Sequence, residues 1–62
     1  MNNVVVKIEK SGNRFNAFDS DGNKYTSDIS TSTRKKAYLS GMALEKREGK
    51  NGRTYWWKVD MS

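Results

Sequence analysis

Glycine-marked turns punctuate this chain so closely that most of what lies between them has room only for short strands. Ser11-Gly12-Asn13, Asp19-Ser20-Asp21-Gly22-Asn23 and Gly49-Lys50-Asn51-Gly52 all read as turns, and Asp-Gly or Asn-Gly between strand-like runs is a strong short-range hairpin signal. Val4-Val5-Val6-Lys7-Ile8-Glu9 is β-branched and precedes the first turn, which makes it a strand. Residues 15–18 and 24–29 follow as a second and third, so residues 1–29 read as a three-stranded antiparallel meander. With Ser11-Gly12 as the first turn, Ile8 faces Phe15 and Val6 faces Ala17. Val4, Val6, Ile8, Phe15 and Ala17 then form one side of a core. With Asp21-Gly22 as the second turn, Phe18 pairs with Tyr25 on the opposite side, brought inward by strand bending or left exposed for binding.

Ser30-Thr31-Ser32-Thr33 is a polar connection into Arg34-Lys35-Lys36, and the stretch AYLSGMALEKRE after it admits two readings. As a helix it has capping hydroxyls in front, strong helix formers within, and Gly49 as a C-terminal cap. As a strand it places Tyr38, Met42 and Leu44 on one parity, with Gly41 where a long strand bulges or bends. A helical stripe through Tyr38, Leu39, Met42 and Ala43 is interrupted by Lys35 and Lys46, which favours the strand.

The last turn joins that stretch to RTYWWKVD, where two tryptophans stand side by side among cations. Neighbouring residues on a strand point to opposite faces, so only one indole can enter a core. A four-residue loop sets Leu44 opposite Trp57, and a two-residue Asn51-Gly52 turn sets Leu44 opposite Val59. Both registers put Met42, Leu44, Tyr55, Trp57 and Val59 on the inner face. They leave Trp56 outside with Arg47, Thr54 and Lys58.

With 62 residues the chain is expected to be one small domain, residues 1–62, whose core supplies about 3–5 kcal/mol beyond the entropy of ordering. It has neither cysteine nor histidine, which rules out disulfides, the usual zinc sites and any Ser/His/Asp or Cys/His catalytic arrangement. Asp19-x-Asp21-x-Asn23 imitates the opening of a calcium loop, but Lys24 stands at the sixth position and Ser30 at the twelfth, so the pattern fails. The carboxylate pairs Asp19/Asp21 and Glu45/Glu48 sit in no evident pocket. We expect no enzyme, metal or cofactor. No apolar run has the length of a membrane span and no signal-like segment opens the chain, so the expectation is a cytoplasmic protein away from membranes.

The net charge of +5 is one-sided. Residues 1–30 are neutral, with four basic and four acidic groups, whereas residues 31–58 hold eight basic groups against Glu45 and Glu48. A field of this kind favours polyanions or acidic protein surfaces.

AYLSG, MALEKRE, GKNG and RTYWWKVD, residues 37–60, together resemble the last hairpin of bacterial-type single-stranded DNA-binding proteins of the OB-fold family. The resemblance implies an all-β fold, a small five-stranded antiparallel barrel of OB or SH3-like type. Residues 13–47 are similar instead to the three-strand-plus-helix DNA-binding module of some phage integrases. That likeness implies an α+β alternative, a three-stranded antiparallel sheet with a helix at about 33–46.

Three functions follow as expectations. The first is a nucleic-acid-binding module, preferring single-stranded DNA or RNA, that stacks bases on Trp56. Arg47, Lys58, Arg53, Lys50, Lys46, Arg34, Lys35 and Lys36 would serve the phosphates, and Phe18 with Tyr25 a second stacking surface. The second is a phage- or plasmid-type interaction module docking on an acidic host protein. The third is a homodimer formed through the aromatic face.

Overall fold

The computed structural model describes residues 4–60. In chain order these form β1 (Val5–Ser11), β2 (Arg14–Asp19), a 3₁₀ turn at Thr26–Asp28, α1 (Thr31–Leu39), β3 (Ala43–Glu48) and β4 (Thr54–Val59). The strands make one antiparallel sheet in the order β2-β1-β3-β4. The expected antiparallel, β-rich character is present, but the sheet is open and four-stranded where a closed five-stranded barrel was expected. The three-strand alternative is also corrected: its helix begins and ends too late, β3 occupies the last part of its span, and β4 makes a fourth strand.

The first hairpin pairs Ile8 with Ala17 and Lys10 with Phe15, two residues away from the expected register. A two-residue shift preserves facing, so Val4, Val6, Ile8, Phe15 and Ala17 still share one side. The expected third strand, residues 24–29, is reduced to a single bridge between Phe18 and Lys24. Tyr25 N–H donates to the Ala17 carbonyl at 2.8 Å and Ala17 N–H donates to Thr26 Oγ1 at 2.9 Å. The threonine hydroxyl has replaced the next backbone acceptor, so the chain leaves the sheet there and enters the 3₁₀ turn.

The helix lies earlier than either reading of the sequence placed it, and its ends explain why. Ser30 Oγ accepts from Thr33 N–H, capping the first turn. At the other end Gly41, with φ +66°, sits just beyond the cap; its N–H reaches the Tyr38 carbonyl and Met42 N–H reaches that of Ala37. This Schellman pair needs the left-handed conformation glycine supplies, so Gly41 ends a helix where a strand bulge was expected. Gly49 caps no helix. ALEKRE, rich in helix formers, is β3, because pairing with β1 and β4 outweighs intrinsic propensity.

The segment from the 3₁₀ turn through α1 covers one face of the sheet. Val6, Ala17, Ile29, Ala37 and Leu44 are buried there, with Val4, Ile8, Tyr25 and Trp56 packed around them. Val6 and Leu44 are the largest side chains fully removed from water, each contributing about 1.5–3 kcal/mol. Phe15 meets Tyr38 of the helix with ring centroids 5.2 Å apart. No helix among the described residues is long and apolar enough to cross a membrane.

Candidate binding face

One loop decides which tryptophan faces solvent. Gly49 N–H donates to the Arg53 carbonyl at 2.6 Å, and Gly52 N–H donates back to the Gly49 carbonyl at 3.3 Å. Gly52 has φ +73°. Lys50-Asn51-Gly52 is therefore a three-residue loop, a tight turn followed by a left-handed glycine. Leu44 consequently faces Lys58, Lys46 faces Trp56 and Glu45 faces Trp57, one residue away from both expected registers. A one-residue slip turns every side chain over.

The expected roles of the tryptophans are therefore exchanged. Trp56 is on the helix side, partly buried against the core and edge-on to Tyr25. Trp57 is outside and 51% exposed. Tyr55 and Val59 go outside with it, and Leu44 shares its face with Lys46, Trp56 and Lys58. Thr54, Trp56 and Lys58 do share a side as expected, but Arg47 does not: it pairs with Tyr55 on the opposite face.

The same loop motif explains the separation of Phe18 from Tyr25. Asp19 N–H donates to the Asn23 carbonyl at 3.0 Å and Gly22 N–H to the Asp19 carbonyl at 3.1 Å, with Gly22 at φ +86°. Ser20-Asp21-Gly22 repeats the arrangement of Lys50-Asn51-Gly52. Phe18 thereby pairs with Lys24 and stays on the outer face, and Tyr25 turns toward Trp56, so the two do not form one stacking surface. The Asp19 carboxylate locks this loop by accepting from the Asp21 and Asn23 amides and from Asn23 Nδ2. The Asn23 side chain above all, with those amides, holds the Asp19 carboxyl below its ordinary value. Tyr25 is pushed upward, first by burial and then by the Asp19 charge.

The face opposite the helix carries Val5, Lys7 and Glu9 from β1, Phe18 from β2, Glu45 and Arg47 from β3, and Tyr55, Trp57 and Val59 from β4. Among the described residues no element packs on it, and Ala43 is its single buried residue. Val5 and Tyr55 are 42% and 46% exposed. Arg47 places its guanidinium 5.5 Å from the Trp57 ring centroid, and its Nε donates to Glu45 Oε1 at 2.7 Å. Tyr55, Trp57 and Val59 thus line β4 on an uncovered sheet face, with Arg47 and Glu45 beside them on β3.

The other cations expected at the site fall in three places. Lys50 and Arg53 are exposed in the loop at the end of the β3–β4 hairpin. Lys46 and Lys58 flank Trp56 on the helix side. Lys35 and Lys36 are exposed on α1, but Arg34 is half-buried and structural, donating to the carbonyls of Ile29 and Phe15 and to Thr31 Oγ1. Lys7, absent from the sequence-based candidates, joins the outer face through its pairing with Phe18. Its alternation with Val5 was the available signal. No group of acidic, histidine or cysteine side chains that could hold a metal ion occurs among the described residues.

No family model, curated protein or solved structure matches this chain.

Proposed function

We propose that this protein is a small nucleic-acid-binding module that takes unpaired bases on its open sheet face. Trp57 provides the main stacking surface, Tyr55 extends it along β4, Phe18 offers a separate ring across the sheet on β2, and Lys7, Arg47, Lys50 and Arg53 meet the phosphates. The observation that carries this reading is the half-exposed Trp57 indole on an uncovered sheet, with Arg47 beside it. Each base stacked on an aromatic ring contributes about 1–3 kcal/mol, and an unpaired base can present its flat surface to a sheet as a paired one cannot. The surplus of basic groups in residues 31–58 supplies long-range attraction.

The test is a titration with a single-stranded oligonucleotide and its duplex at low and moderate salt. The expected result is preference for the single strand and an affinity that falls with salt while some preference persists. Equal, wholly salt-sensitive binding of both would leave only charge attraction.

A second reading has its own support. Glu45 pairs with Arg47 and stands opposite Trp57, so the centre of the face is close to neutral and suits a protein surface, with the outlying lysines steering it to an acidic partner. Absence of oligonucleotide binding at low salt would favour this alternative.

A further inference from the structure

The two edges of the sheet are treated differently. On β2, the segment after the strand takes up the outward groups of Ala17: its carbonyl accepts from Tyr25 N–H and its N–H reaches Thr26 Oγ1. On β4 nothing among the described residues does the equivalent. The direction of the backbone follows from two hydrogen bonds. Gly49 N–H to the Arg53 carbonyl makes that pair a hydrogen-bonded one, and alternation then makes Arg47–Tyr55, Glu45–Trp57 and Ala43–Val59 hydrogen-bonded as well. Lys46 N–H pointing the other way, to the Val4 carbonyl at 2.8 Å, agrees with that phase. Thr54, Trp56 and Lys58 therefore direct their N–H and C=O groups away from β3, off the edge of the sheet.

This edge has none of the usual protections beyond a single lysine. That lysine, Lys58, stands on the helix side of the strand; the strand contains no proline and no bulge, and its sequence, TYWWKV, is rich in residues that favour strands. We infer that β4 pairs antiparallel with β4 of a second copy of this chain about a twofold axis at Trp56, forming a continuous eight-stranded sheet. The occupant is a second copy because the strand is complementary to itself in this register. Thr54 meets Lys58 of the second copy, Trp56 meets Trp56 of the second copy, and all the outward backbone groups from Thr54 to Lys58 are used. No like charges stand directly opposite. On the open face Trp57 comes opposite Tyr55 of the second copy, a cross-strand aromatic pair made twice by the symmetry. The second copy thus completes an aromatic stripe that each chain holds only in part. The dimer stands independently of the proposed function; its use as a longer base-stacking platform rests on that reading.

Sedimentation equilibrium of the full chain, from micromolar to near-millimolar concentration, tests the inference together with the variant Lys58→Pro. Proline removes the outward Lys58 N–H without touching the intrachain ladder, a placement that edge strands tolerate. The expected result is a wild-type mass rising to twice the chain's 7.1 kDa and no further, and a folded Lys58→Pro that stays at one chain mass. A wild type that remains monomeric throughout overturns the dimer. A folded Lys58→Pro that still dimerises overturns the edge pairing, and masses that climb past two chains overturn the closed twofold. Amide hydrogen exchange on the wild type needs no variant: the Thr54, Trp56 and Lys58 amides slow with concentration if the edge pairs, and exchange at a constant fast rate if it does not. Oligonucleotide titration of the same samples separates the two ideas, since a dimer that binds no oligonucleotide removes the function alone and a monomer that binds one removes the dimer alone.

Discussion

Trp56 meets Tyr25 edge-on, with ring centroids 5.9 Å apart, and this contact ties the far strand of the sheet to the segment that follows β2. The neighbouring indole makes no such contact with the core. Truncation at the two positions should therefore have different costs. Trp56→Ala is expected to lose about 1.5–3 kcal/mol of stability through lost burial and the ring pair, and Trp57→Ala about 0.5 kcal/mol or less. Urea unfolding of both variants checks this, and equal losses would contradict the assignment of faces.

Leu44 is fully buried between the sheet and the helix. Leu44→Ala should cost about 2–5 kcal/mol, because the vacated volume cannot be refilled by so small a core. Leu44→Met keeps the volume and should cost about 1.5 kcal/mol or less. Equilibrium denaturation of the pair distinguishes packing from any general intolerance at the site.

Gly52 turns the β3–β4 loop at φ +73°, and a Cβ added there would meet nothing within 4 Å. The penalty for Gly52→Ala is therefore one of backbone conformation alone, about 1–2 kcal/mol. Asparagine tolerates the left-handed region better, so Gly52→Asn should recover part of the loss. Thermal unfolding of the two variants gives the comparison.

The Asp19 carboxyl is held below its ordinary value by the Asn23 side chain and by backbone amides. A depressed carboxylate stabilises the fold above its unfolded pKa, and that contribution disappears as pH falls through the lower, folded value. Stability should decline with acidification below about pH 4. Asp19→Asn should lessen the decline at the cost of a weaker loop near neutrality. Melting temperatures across that range measure both effects.

Much of the fold was legible because its signals are local. β1 and β2 are marked by Val4-Val5-Val6, Phe15 and Ala17 on either side of Gly12-Asn13, and a register shift of two residues left their facing unchanged. The helix was harder to place. Thr31, Ser32 and Thr33 are modest helix formers, Ala37 is its only buried residue and Leu39 is 70% exposed, so it carries almost no apolar stripe. ALEKRE misled in the other direction, since helix-forming residues were drawn into β3 by the strands beside them.

The site was half legible. Two tryptophans, one inside and one outside, followed from strand alternation, but which was which depended on one residue of loop length. Asp21-Gly22 and Asn51-Gly52 look like two-residue turns, yet each is the end of a three-residue loop with glycine in the left-handed position. That single difference exchanged Trp56 for Trp57, left Arg47 on the open face beside Trp57 instead of Trp56, and parted Phe18 from Tyr25.

Under the proposed function Trp57, and not Trp56, is expected to receive the ligand, and the fluorescence of single-tryptophan proteins tests this. Trp56→Phe leaves only the open-face indole and Trp57→Phe leaves only the packed one. Titrated with a single-stranded oligonucleotide at low salt, the Trp56→Phe protein should be strongly quenched, and the Trp57→Phe protein should show little quenching and weaker binding. Quenching confined to the protein that keeps Trp56, or none in either, would contradict the account.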